Sequence, residues 1–242
     1  MQLQLTQNDT DAIKENPPFC LHYSSCYITI SSAFGTDVQT FSSKAGPFYR
    51  NANVPVLARR HPRGTLIHDR VPPQLVGFSV DFNAQQLILT FDEVVLGQNI
   101  NPRGIELRSR LHPGRGTYSV NLTSESFGME AIASKVHVQL SYHDYVQIQL
   151  TGGNTVADGF CTVDTNTFVY LAGLTVRDVA GNYLEAGATM MSHGFVDDAT
   201  PPTVAAFSYD PISYNLTMYF SKVRAAGPCV VSWHAWPTRL TC

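Results

Sequence analysis

Three Asn-x-Thr triplets stand at Asn8, Asn121 and Asn215. Such a triplet is an acceptor for N-linked glycan when a chain passes through a eukaryotic secretory route. Strand parity places two of them. If Leu216, Met218 and Phe220 face a core, Asn215 faces out; if Tyr118, Val120 and Leu122 face in, Asn121 faces out. Coincidence also produces triplets in a Thr-rich chain. The five cysteines are Cys20, Cys26, Cys161, Cys229 and Cys242, and an odd count argues against a closed disulfide framework. Cys20 and Cys26 are close enough in sequence for a local bridge, whereas Cys161 reads as a small buried apolar residue.

Metal chemistry has two candidate sets. His137 and His143 would share a face if one strand ran through both, but Ser141-Tyr142-His143-Asp144 reads as a turn. Asp197, Asp198 and Asp210, with Asp178 and Asn182, offer oxygen ligands for calcium at a junction between units. The plainer reading of Asp178–Asn182 is a turn, with Gly181-Asn182 supplying positive φ. The sequence holds no Gly-x-Ser-x-Gly, no phosphate-binding loop, no His-Glu-x-x-His and no Cys-x-x-Cys. No catalytic residue, resident metal or cofactor is therefore assigned. Tyr142, Tyr145, Tyr209 and Tyr219 are the rings a carbohydrate-binding surface would use.

The elements that would position these residues are mostly strands. Charged residues make up 14% of the chain, below the roughly 25% usual for soluble domains. Net charge is −3 with no basic run, which gives no electrostatic footprint for nucleic acid. No apolar run approaches the ~18 residues of a membrane span, and the first residues lack the pattern of a signal peptide. Short strands are expected at 74–80, 86–92, 104–108, 117–122, 135–140, 145–151, 167–176 and 183–191. One helix is expected in "QNDTDAIKENPP", capped by Asp9 or Thr10 and stopped by Pro17.

The strand pattern repeats. "HDRVPPQLVGFSVDFNAQQLILTFDEV" from residue 68 returns as "DDATPPTVAAFSYDPISYNLTMYFSKV" from 197, an offset of 129. Nine of 26 aligned positions are identical, against the one or two that chance gives at average residue frequencies. Residues 19–46 align with 160–187 at an offset of 141, and "LQLT" at 3–6 pairs with "IQLT" at 148–151 at 145.

The combination "DxxPP…F..D……L.LTF.E.V", "Y.V.LT" and "TF..L….V.DVAGN", with "LTQNDTDAIK" at 5–14, resembles the Ig-like tandem repeats of large extracellular proteins. Such repeats occur in bacterial surface-layer and adhesin-like proteins and in predicted algal and choanoflagellate surface proteins. The resemblance implies an all-β fold of tandem Ig-like antiparallel sandwiches, one complete and two partial. Residues 1–56 would be the back half of one repeat, 57–68 a basic linker loop, 69–197 a complete repeat, 198–223 the first strands of a third, and 224–242 an atypical tail. It implies an extracellular or cell-surface setting within a longer chain. The role would be a spacer or adhesive module, with neighbouring repeats, other surface proteins or glycans as partners. The rivals are a carbohydrate-binding module and an accessory domain of an extracellular hydrolase.

Overall fold

The computed structural model describes residues 4–16, 25–30, 36–37, 51–52, 56–60, 67–152, 160–221, 230–231 and 240–241. The described residues form an all-β protein with two α-helices. Helix α1 is Gln7–Lys14. Four short strands follow: β1 Tyr27–Ile30, β2 Thr36–Asp37, β3 Asn51–Ala52 and β4 Val56–Arg60. The central region contains β5 Leu75–Asp81, β6 Gln86–Val95, β7 Ile105–Arg108, β8 Ser119–Asn121, β9 Phe127–Gly128, β10 Ala133–Gln139, helix α2 Tyr142–Gly152, β11 Phe168–Leu171, β12 Ala188–Met191 and β13 Phe195–Val196. Then come β14 Val204–Asp210, β15 Asn215–Phe220, β16 Val230–Val231 and β17 Leu240–Thr241.

The central strands make two sheets, β13-β5-β6-β10-β9 and β12-β11-β7-β8. All pairs are antiparallel except β13 on β5. Alternation explains which face goes inside. Phe78, Val80, Leu87, Leu89, Val136 and Val138 from the first sheet meet Ile105, Leu107, Val169 and Leu171 from the second in one continuous core. Tyr145 and Ile148 of α2 close one end of it, together with Phe160 and Cys161. Cys161 is a free, buried thiol, and burial pushes its pKa up, so it packs as an apolar group.

The expected strand 145–151 is part of helix α2. "VQIQL" alternates, but Ser141 accepts a hydrogen bond from the Asp144 N–H (3.1 Å) and starts a helix. Tyr145 and Ile148 then fall on one buried face while Leu150 is exposed. Helix α1 is capped by Thr6, one turn earlier than expected. Its Oγ1 accepts from the Asp9 N–H (3.2 Å) and Asp9 accepts from the Thr6 N–H (3.0 Å), a capping box. Pro17 lies outside the described residues. Residues 56–60, expected to lead into and begin a linker loop, form β4 and pair with β1. Tyr118, expected to face the core, is exposed, because β8 at the sheet edge begins only at Ser119.

Two close approaches pin the rim of the first sheet. A Cβ added to Gly128 would lie 2.1 Å from the Gly97 carbonyl oxygen, and one on Gly97 would lie 2.4 Å from that of Glu130. Backbone cannot yield as a flexible side chain can. Gly128→Ala is expected to lower stability by about 1–3 kcal/mol, read as a shifted midpoint in urea unfolding. An unchanged midpoint would show that the β9 rim moves freely.

Candidate functional site

The two long hairpins have the same hydrogen-bond register. In the β5–β6 hairpin Gly77 faces Thr90, Phe78 faces Leu89, Val80 faces Leu87 and Asp81 faces Gln86, with a bulge between Leu75 and Gly77. In β14–β15 Ala206 faces Tyr219, Phe207 faces Met218, Tyr209 faces Leu216 and Asp210 faces Asn215, with the bulge between Val204 and Ala206. Each pair and the bulge keep the offset of the first alignment. The turns match as well: Gln85 and Tyr214 are left-handed, with φ of 57° and 56°. So do the capped ends: the Gln74 N–H donates to Asp92 as the Thr203 N–H donates to Ser221. Strands β1 and β11, starting at Tyr27 and Phe168, keep the offset of the second alignment.

The third alignment is corrected by the helices. Thr6 and Ser141 are both N-caps, and Asp9 and Asp144 both stand at the third helical position. "LQLT" at 3–6 is therefore matched by "VQLS" at 138–141 rather than by "IQLT" at 148–151. The remaining difference from the second alignment is taken up before Phe160.

Two contacts then fall into one pattern. Val71 and Thr200 each donate a backbone N–H to an aspartate two positions earlier, Asp69 and Asp198. Asp69 accepts from Lys14 Nζ on α1 (2.7 Å), and Asp198 accepts from Tyr145 Oη on α2 (2.6 Å). A helix thus touches the aspartate of each "DxxPP" segment from the preceding side.

The first of these junctions is a cluster of carboxylates. Asp69, Glu93 and Asp178 have oxygens within 4.8 Å of one another. Glu93 sits on β6, and Asp178 follows β11 as a bridge partner of Val95. Lys14 also pairs with Glu93. Asp178 is held by the Asn182 N–H and Nδ2, both at 2.8 Å, and Asn182 Nδ2 also reaches the Asp69 carbonyl at 3.2 Å. Gly181, at φ +98°, closes that turn; the positive φ expected of Gly181-Asn182 is supplied by the glycine alone, and Asn182 instead donates its N–H to Asp178.

Burial alone would raise Asp69, but its hydrogen bonds from Lys14 and the Val71 N–H outweigh burial, and its pKa lies below the ordinary value. Glu93 is raised, because burial outweighs the help from Lys14. Burial opposes the Lys14 charge, yet the two carboxylates prevail and raise its pKa. The arrangement holds two elements distant in sequence by a desolvated ion pair.

The expected calcium set is not gathered. Asp178 and Asn182 share the junction, whereas Asp198 meets Tyr145 and Asp210 caps its own hairpin turn through the Ile212 N–H and Ser213 Oγ. His137 on β10 meets Glu130 at 2.5 Å, and His143 is exposed on α2, so no single strand joins them. Tyr145 is buried, edge-on to Phe82 with ring centroids 6.0 Å apart, and is not a surface ring. Tyr142, Tyr209 and Tyr219 are exposed. Tyr209 shares the face of Phe207, and Tyr219 lies on the opposite face, so they build no common stacking platform. The groove of about 410 Å³ beside Pro72, Pro73 and Leu184 has no aromatic lining.

Asn8, Asn121 and Asn215 are all exposed. Cys26 is disulfide-bonded, and Cys20 lies outside the described residues. The Lys14 junction has no local sequence signal: its partners are 55 and 79 residues away.

Fold and site together define an all-β protein in which one hairpin is written twice and successive segments are held by helix-to-aspartate contacts. No protein-family profile matches the chain, and no curated protein or solved structure was found similar to it.

Proposed function

We propose that the chain is a set of tandem Ig-like sandwich units from a secreted or cell-surface protein, with a non-catalytic role as spacer or adhesive module. The observation that carries this reading is the repeated contact between units. Asp69 and Asp198 are equivalent, and each is held by a side chain of the preceding helix. A solenoid or array gains its shape from such nearest-neighbour contacts, which fix each unit on the next without requiring a ligand. The disulfide at Cys26 supports an oxidising compartment. Three exposed glycosylation triplets support the same placement.

The test is the intact mass of the protein isolated from its source, before and after enzymatic removal of N-glycans. The mass is expected to exceed 26.6 kDa and to fall on treatment. A mass of 26.6 kDa that does not change on treatment would remove the surface placement.

A further inference from the structure

Among the described residues, the face of β14–β15 that corresponds to the central core is uncovered. Phe207 is 70% exposed where its counterpart Phe78 is 2% exposed, and Tyr209 is 50% exposed where Val80 is 1%. Val204 is exposed on the same face. In the central region these positions are covered by the β12-β11-β7-β8 sheet and by Ile148 of α2.

The complementary surface is present at the other end of the chain. Helix α1 is the counterpart of α2 but has no buried residue. Leu5, counterpart of Leu140, is 57% exposed where Leu140 is 4%. Strand β1, counterpart of β11, pairs among the described residues with β4 alone, in a two-stranded sheet. The described residues thus carry a front half without its back and a back half without its front.

We propose that a second copy supplies the missing half. Helix α1 and the β1–β4 pair of one molecule dock on the apolar face of β14–β15 of the next. This stands on the hairpin and helix equivalences alone, whatever the chain's biological role. Lys14 is still able to hold Asp69 of its own chain, because α2 likewise serves its own core while Tyr145 reaches onward to Asp198. The contact joins two different patches. It is heterologous and builds open head-to-tail chains unless the rotation closes a ring.

The test is sedimentation velocity of the full chain across a concentration series, with two single-ended blocks. Ile13→Asp places a charge on the α1 face matching Ile148, and Phe207→Asp places one on the open hairpin face. The wild-type mass is expected to grow with concentration beyond twice 26.6 kDa. Each variant alone is expected to stay at 26.6 kDa. An equimolar mixture is expected to form a one-to-one dimer and stop there, because Phe207→Asp keeps a sound helix end and Ile13→Asp a sound hairpin end. Tyr219→Asp, on the opposite hairpin face, is expected to assemble as wild type. A wild-type chain that stays monomeric would overturn the proposal. So would a mixture that stays monomeric, or a dimer lost in Phe207→Asp but kept in Ile13→Asp, which would mean hairpin-to-hairpin pairing.

Discussion

Asp144→Ala is expected to destabilise the central sandwich by about 3–5 kcal/mol, a large share of the 5–15 kcal/mol typical of a domain. Asp144 is buried and accepts from the Thr123 N–H (3.1 and 3.0 Å), Thr123 Oγ1 (3.0 Å) and Ser126 Oγ (2.6 Å). These bonds fasten the start of α2 to the loop after β8. Alanine would leave the half-buried Thr123 N–H without its acceptor, and each hydroxyl would lose a charged partner. Asp144→Asn is expected to cost less, about 1–2 kcal/mol. Its amide oxygen can still take the Thr123 N–H, and the rotatable hydroxyls can turn to accept from its NH2. Asp9 holds the same helical position in α1 but is exposed, bound only to Thr6. Asp9→Ala is therefore expected to leave the main unfolding transition unmoved. Urea unfolding of the three variants checks the set. An Asp144→Ala loss under about 1 kcal/mol would mean that water reaches this loop, which the buried geometry denies.

The sequence reveals the two hairpins and conceals the helix for one physical reason. Half-buried strands must alternate, so Leu87-Leu89-Phe91 and Leu216-Met218-Phe220 declare both their element and their inner face. Val146-Ile148-Leu150 alternates equally well, yet the chain turns helical there. The winning signals are local and polar: Ser141 as cap, with Asp144 held across space by Thr123 and Ser126. Three residues carry the helical signal, Ser141, Asp144 and Ile148, which match Thr6, Asp9 and Ile13 of the segment whose sequence does declare a helix. The competing match of "LQLT" to "IQLT" hid that correspondence. The edge segments were harder still. β4 is a strand because β1 gives it a partner, and pairing with so distant a segment leaves no mark on local composition.

The Lys14 junction has the same origin in long-range geometry, and it yields the second large effect. Lys14→Gln is expected to lower stability at neutral pH by about 1–3 kcal/mol. Removing the half-buried Lys14 leaves Glu93 desolvated beside Asp69 and Asp178. The loss stops short of the roughly 3–5 kcal/mol seen for deeply buried pairs, because α1 buries no residue and can lift to admit water. The pH dependence follows from the three shifts. Asp69 is lowered, so its contribution is present above its ordinary value near 3.8 and is lost as pH falls through the lowered one. Lys14 is raised, so its contribution is present below 10.5 and is lost as pH rises through the raised value. Glu93 runs the other way: its pKa lies above 4.5, so its charge opposes folding at neutral pH and protonation in mild acid favours it. Without Lys14 the main force lowering Glu93 disappears and its pKa rises further. The variant is therefore expected to gain more than wild type when pH drops from neutral toward about 5, and the two curves are expected to meet once both carboxylates are protonated. Adding Glu93→Gln to Lys14→Gln is expected to return part of the loss at neutral pH, since it removes the charge left without a partner. Parallel wild-type and variant curves from neutral to acid pH would show that Lys14 lies on the surface of the cluster and holds nothing in place.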